Sequence, residues 1–269
     1  MSNSAISLLA ETLFRPVIGA LLSAGISFLA YRTRALSRSG AIAATLVGTI
    51  AVTAGWSWGI LLVAFFVSSI ALSTVGARHK ARLVEPIMMK TGPRDAWQVM
   101  ANGGVFAAAA AAAVWSPSAL LAAIGVGALA ASTADTWGTE VGTLLGGDPR
   151  SIVSGKHVPV GTSGGISAAG SAASLGGAVF LAIMALLTGW DTPLHAIVAG
   201  GIAGALADSL LGATVQERYW CQACGARTER QIHHCGQRAR RAGGISGFNN
   251  DGVNVLCSLV GALVALVMA

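Results

Sequence analysis

The sequence predicts an all-α, polytopic membrane bundle of about eight transmembrane helices, with seven as the alternative count. Three observations lead there. Of 269 residues, 54% are hydrophobic and only 10% are charged, too few charges for an ordinary soluble domain. The charges are clustered, which leaves continuous apolar runs long enough for helices of about 20 residues across a hydrocarbon core of about 30 Å. The 35 glycines, with abundant alanine, suit helices that pack closely through small residues. Because the runs are continuous rather than alternating, a β-barrel is not expected. The whole chain, 1–269, reads as one membrane domain.

Taken in order, the expected spans are 5–30, 39–55, 57–76, 97–115, 118–135, 165–189, 193–215 and 250–268. The first has no basic n-region and no small-residue cleavage site, so it is expected to stay as a helix, although Glu11 and Arg15 lie inside it. The second is short and is the weakest of the eight. The net charge of +6 comes from Lys and Arg in the connections rather than from a nucleic-acid-binding surface. Basic residues fill the links after the first, third, fifth and seventh spans (Arg34, Lys80, Lys90, Arg94, Lys156 and Arg218 among them). The links near 55–57, 116–117 and 189–192 have none. Eight spans therefore put all the basic links on one side, which the positive-inside rule makes the cytoplasm of a plasma (bacterial inner) membrane.

The fifth span runs into Ser132–Gly142, STADTWGTEVG, where Asp135 and Glu140 follow a long apolar stretch. An acid near bilayer depth is costly unless it faces a water-filled cavity, pairs with a cation or serves chemistry. The arrangement repeats as Ala207-Asp208-Ser209, and Asn250 with Asp251 opens the last span. With Thr136 and Thr139 beside the first pair, these acids suggest one oxygen-rich polar site between helices, suited to Mg²⁺. Gly138 is a candidate break that would turn both acids inward. The bland alternative is that some of these acids only cap helices or pair with basic residues.

Between the fifth and sixth spans, Gly161, Thr162, Ser163 and Gly164 precede a helix start and follow Lys156. This is not a Walker A motif, yet backbone N–H groups at a helix start bind anions, and phosphate is the natural ligand. Before the fourth span, Arg94 and Asp95 are followed by Gln98 and Asn102 at helical spacing, a polar stripe that either caps and cross-links helices or contacts substrate. Cys221-x2-Cys224 followed by His233, His234 and Cys235 forms a Cys3His set in a link, 216–247, where a disulfide is not expected, and predicts a structural Zn²⁺. His233 is the histidine assigned to the set, with His234 beside it as the open alternative.

The motifs GPRDAWQVMANGG, STADTWGTEVG, SGKHVPVGTSGGIS, GALADSLLGATVQERYW with its CxxC, and GFNNDGVN resemble those of the integral-membrane phytyl-phosphate kinase family of the vitamin E pathway, from about Lys80 to the C-terminus. The resemblance implies phosphoryl transfer from a nucleoside triphosphate, with CTP as donor, to an isoprenyl monophosphate such as phytyl or geranylgeranyl phosphate. It implies that Asp135, Glu140, Asp208, Asn250 and Asp251 are metal and phosphate ligands, that Lys156 neutralises the transferring phosphate, and that Gln216 and Asn254 orient groups. Two other functions suit the same residues: a cytidylyltransferase acting on a lipid phosphate, and a transporter built from internal repeats.

Overall fold

The computed structural model describes residues 3–269, with side chains from Phe14 onward. Nine α-helices occur among the described residues: α1 (Asn3–Arg32), α2 (Arg38–Ala54), α3 (Trp56–Thr74), α4 (Ala77–Val84), α5 (Ala96–Trp115), α6 (Ala119–Leu145), α7 (Ala168–Leu187), α8 (Leu194–Thr214) and α9 (Asn250–Met268). Capping side chains mark many of the starts. Ser37, Asp95, Ser118, Ser167 and Asn249 each accept a hydrogen bond from a backbone N–H of the first turn of their helix.

Among the described residues seven helices are long and apolar enough to cross a membrane, the alternative count of the two expected. The odd one out is α2, whose 17 residues span roughly 26 Å against a core of about 30 Å. It still runs between the same two ends as its neighbours. Its start is pinned by Ser37 N–H donating to Arg94 O at 3.0 Å, beside the start of α5. Its end turns at Gly55 into α3, where Trp58 packs on Trp190 from the α7–α8 link, with ring centroids 4.8 Å apart. One end of the bundle thus collects the basic links, through Leu36 with Arg94, Lys90 with Asp251, and Glu229 N–H with Ile87 O.

The central helix is α6, which packs on α3, α5, α7, α8 and α9. Every residue from Gly125 to Ala134 is buried, as expected for a helix that is apolar all round. Small residues let its neighbours approach. A Cβ on Gly261 of α9 would lie 2.6 Å from Gly127 O and 3.1 Å from Gly200 O, so three helices meet at that point backbone to backbone. The large buried side chains, Phe106, Leu61, Leu129, Leu181 and Ile197, gather with Trp58 toward the end away from the basic links. The outward faces carry exposed Leu21, Leu29, Ile42, Leu46, Leu263 and Val267, the reverse of a soluble protein and the pattern that lipid requires.

Three features differ from the sequence expectation. First, α6 continues to Leu145, ten residues past the expected end at 135, and Gly138 does not break it. Glycine there serves packing, since a Cβ would come 3.3 Å from Gly170 O of α7. Second, α4 is a short amphipathic helix within the link after α3. Third, the links contain strands: β1 (Arg150–Ser151) pairs with β2 (Gly165–Ile166), and β3 (Arg218–Cys221) lies between β4 (Ala226–Thr228) and β5 (Arg240–Gly243).

Candidate active site

A cavity of about 500 Å³ opens between α5, α6, α7, α8, α9 and the 149–167 link, at the basic end. Continuation of α6 is what furnishes it. Asp135 and Thr139, and Thr136 and Glu140, are each four residues apart, so two adjacent stripes of one straight helix deliver all four to the cavity. Across from them, α8 supplies Asp208 and Ser209, α9 supplies Asn250 and Asn254, and the stripe at the start of α5 supplies Arg94, Gln98 and Asn102.

The remaining wall is the glycine link, with Gly161, Thr162, Ser163 and Gly164. At Gly164 the backbone has φ +75° and a Cβ would fall 2.6 Å from Ser209 O. Only glycine lets this loop lie against α8 in that conformation. Both capping and cavity lining occur at the start of α5: Asp95 and Gln98 form a capping box, and Asn102 Nδ2 donates to Gln98 O at 3.0 Å.

The acids divide by their partners. Glu140 accepts a short charge-assisted bond from Lys80 of α4, a buried lysine that also donates to Leu72 O at 2.7 Å. Asp251 does not line the cavity. It meets Lys90 Nζ at 2.6 Å, and the same ammonium lies 2.8 Å from Asp95. Burial pulls the Lys90 pKa down, but its hydrogen bonds to Asp251 and Asp95 outweigh that and hold it above the ordinary value. Asp135 and Asp208, in contrast, bring their carboxyl groups to each other. Among the described residues neither forms an ion pair, and Oδ2 of Asp208 is buried with no donor facing it. Two facing carboxylates in a low-dielectric interior repel unless a cation lies between them. With Asn250 and the hydroxyls of Thr136 and Ser209 close by, this donor set fits a hard divalent cation such as Mg²⁺.

Two other expected residues also lie elsewhere. Lys156 is exposed on the 150–157 hairpin, outside the cavity. Gly155, at φ +66°, reverses the chain, and Ser151 N–H donates to Lys156 O at 2.9 Å, which holds the Lys156 backbone beside β1. The cation that does line the cavity is Arg94. Burial lowers its pKa against the opposing pull of Glu140. Gln216 sits behind the glycine link, where its Nε2 donates to Glu229 at 2.7 Å.

Glu229 went unnoticed in the sequence, since nothing marks one acid within the arginine-rich segment ARTER. It is buried, and burial raises its carboxyl pKa. It accepts hydrogen bonds from Ser163 Oγ, Gln216 Nε2 and, at 3.3 Å, Met89 N–H. Neighbouring Arg230 donates from Nε to Met88 O at 2.8 Å. The β3–β5 module therefore clasps both the glycine link and the segment leading to Arg94.

That module carries the Cys/His set. The ligand atoms of Cys221, Cys224, His233 and Cys235 all lie within 4.8 Å of one another. The Cys221 and Cys235 sulfurs are 3.7 Å apart, against about 3.8 Å for two thiolates on a tetrahedral ion with zinc's bond lengths. His233 presents Nδ1 to Cys235 at 3.3 Å, while its Nε2 meets His234 Nδ1 at 3.1 Å. His233 is thus the inward histidine and His234 the residue that orients it. A hydrogen bond from His233 draws the Cys235 thiol down to about 6, while hydrogen bonding to Cys235 pushes Cys224 up to about 11.

The chain matches the family described as "Integral membrane protein DUF92" over residues 21–262. It is 32% identical to Protein PGR of Arabidopsis thaliana, an alignment covering 92% of this chain and 93% of the relative. It is 29% identical to Uncharacterized membrane protein MJ0933 of Methanocaldococcus jannaschii, over 96% of each. It is 31% identical to Protein VTE6, chloroplastic, of Arabidopsis thaliana, over 87% of this chain and 65% of that protein. No solved structure matches. With nearly the whole chain matched and one relative above 30% identity over 93% of its own length, this protein belongs to the integral membrane protein family DUF92.

Proposed function

We propose that the protein is a nucleoside triphosphate-dependent kinase, with CTP as donor, that phosphorylates an isoprenyl monophosphate such as phytyl or geranylgeranyl phosphate to the diphosphate. The observation that carries this reading is the cation-free pair Asp135 and Asp208, set opposite a glycine link in a polar cavity of a membrane domain. The resemblance of these motifs to isoprenyl-phosphate kinases supports it, and so does the relation to Protein VTE6, chloroplastic. The clustering of basic links at the cavity end supports a site facing the cytoplasm, in a plasma membrane.

In this reading an oxygen of the acceptor phosphate attacks the γ-phosphorus of the nucleotide, and the bond to the β-phosphate oxygen breaks to release CDP. The acceptor is already an anion, so no strong general base is required; positioning and charge stabilisation are the protein's task. Backbone N–H groups of Gly161, Ser163 and Gly164 and the hydroxyl of Thr162, buried and without a partner, cradle phosphate oxygens, while the Ser163 hydroxyl is held by Glu229. Arg94 faces the acceptor phosphate, while Lys156, which the resemblance assigned to the transferring phosphate, stands outside the cavity. Asp135 and Asp208, with Asn250, hold Mg²⁺, which when bound offsets the repulsion between the two phosphates. Thr136, Thr139, Ser209 and Asn254 orient the substrates. Zn²⁺ on Cys221, Cys224, His233 and Cys235 is structural, since four protein ligands leave no open position.

The test is turnover by detergent-purified protein with Mg²⁺, γ-labelled CTP and a panel of isoprenyl monophosphates. Label recovered in a lipid diphosphate, with CDP released, is the expected outcome. Pyrophosphate release with CMP on the lipid would replace the kinase by a cytidylyltransferase, and CTP left intact across the panel would favour a transporter.

A further inference from the structure

The cavity that holds Asp135 and Asp208 is polar toward the basic links and apolar between α7 and α8, where Leu175, Ile202, Ala205 and Leu206 line it. Leu175 and Leu206 are also 47% and 49% exposed, among the outward side chains that meet lipid. A side chain that both lines a cavity and stands on the outer surface marks an opening. The same outer face continues along α7 through Val179 and Leu186, one and three turns beyond Leu175 and both exposed.

The opening has a floor. At Gly201 a Cβ would lie 2.6 Å from Ala178 Cβ, so α7 and α8 touch there. Ala178 and Ala205 are buried, and Val198 and Ile202 pack against them. Nearer the basic end each helix is tied to a different partner. A Cβ on Gly170 of α7 would come 3.1 Å from Gly138 O of α6, whereas Ser209 of α8 lies against Gly164 of the glycine link. The cavity fills the gap that this leaves. A crease with a small-residue floor and leucine edges therefore leads from the acids to the lipid-facing surface. Arg94 lines the same cavity, and its guanidinium makes no hydrogen bond or ion pair among the described residues. A largely desolvated cation without a partner calls for an anion, and an anion beside an opening onto lipid calls for an amphiphile.

We propose that the isoprenyl acceptor enters sideways from the bilayer between α7 and α8, with its phosphate drawn to Arg94 and its tail left in the crease edged by Leu175 and Leu206. The nucleotide comes from the basic end. The inference rests on the kinase reading for the identity of the head group. Volume separates the two ends of the acceptor. A pocket of about 300–1,000 Å³ suits one drug-sized ligand, so a cavity of about 500 Å³ that takes a nucleotide and the acceptor phosphate has no room for a chain of twenty carbons as well. Left outside, the chain meets only apolar side chains and lipid. Lipid is as apolar as leucine, so the crease guides the chain while the phosphate supplies the affinity.

The experiment uses a C20 isoprenyl monophosphate with a diazirine on its second isoprene unit, photolysed with the purified full chain in detergent without nucleotide, so that binding is read apart from turnover. Label mapped by mass spectrometry to Leu175, Val179, Ile202 or Leu206, displaced by unlabelled isoprenyl monophosphate and not by the matching isoprenol, is expected. Displaceable label confined to other helices, no displaceable label, or displacement by isoprenol as effective as by the monophosphate would each overturn the crease. A second arm blocks the opening with Leu206→Trp, whose melting temperature in detergent checks the fold. Displaceable labelling should fall about tenfold, the order expected when a bulky side chain is forced into an occupied space. Labelling equal to that of the unaltered protein would overturn the crease as the entry. Should the melting temperature fall, Leu175→Trp on the opposite edge repeats the measurement. Label in the crease without phosphoryl transfer would remove the kinase reading and leave the crease. Transfer with displaceable label on other helices would do the opposite.

Discussion

Four acids reach the basic end of this bundle, and they fall into two pairs with opposite surroundings. Glu140 and Asp251 each meet a lysine, Lys80 and Lys90, delivered by the link between α3 and α5. Asp135, five residues before Glu140 on α6, and Asp208 of α8 meet each other and have no cation among the described residues. A matched charge is part of the scaffold, whereas an unmatched pair facing a polar cavity is a site for something that arrives. Reach accounts for the division: Lys80 from α4 and Lys90 from the link that follows it meet Glu140 and Asp251, and neither meets Asp135 or Asp208.

Experiments can break that comparison, beginning with the largest effect. Asp208→Asn should cut phosphoryl transfer by about a thousandfold, the order seen when one transition-state electrostatic contact is removed, while thermal stability in detergent is unchanged or higher. A variant with near-normal turnover would dissolve the distinction. Lys80→Met should show the reverse priority. It leaves Glu140 buried without its partner, at about 3–5 kcal/mol of stability, and adding Glu140→Gln should restore most of the loss in a melting experiment. Cys221→Ser should release the bound metal, measurable by elemental analysis, and lower turnover about tenfold, as expected when a supporting shell rather than the reacting groups is lost.

The rim pair also predicts a pH dependence. Burial raises the Asp95 pKa, but the Lys90 ammonium and the backbone N–H of Gln98 outweigh it and hold the carboxyl below its ordinary value. Stability from this contact is therefore complete above the ordinary carboxylate range and is lost as pH falls through it, below about pH 4. Asp95→Asn keeps the helix cap and should flatten that part of the acid melting curve, by at most about 1 kcal/mol since the pair is partly exposed. Smallest of all, Lys156→Ala should change kcat/KM less than about threefold, because the side chain stands outside the cavity in water, where charges are screened. A large loss would mean that the hairpin folds inward during turnover.

Much of the architecture was legible in the residues. Hydropathy located the long helices, and the alternation of basic and neutral links put the basic links at one end of the bundle, although α6 runs ten residues past its expected end. Most residues that line the cavity were also legible, since an acid or a polar stripe inside an apolar run has few reasons to exist. The strands β3 to β5 were not, because a module held by ligands and a few ladder bonds has too short an apolar pattern to announce itself. Glu229 was missed for a related reason: its importance lies in reaching Ser163 and Gln216 from another link.

By itself, then, the sequence determined that this is a membrane bundle with a carboxylate-rich end and a Cys3His module, because hydrophobicity, charge placement and ligand spacing are local and additive along a chain. Only the tertiary structure decided which acids are neutralised, that Arg94 rather than Lys156 faces the cavity, that His233 and not His234 turns toward the cysteines, and that the polar cavity reaches the lipid-facing surface between α7 and α8. Each of these is a pairing between residues far apart in sequence, and such pairings depend on helix register, on the rotation of α6 past Gly138 and on the direction in which a link turns. None of those is written in any one segment.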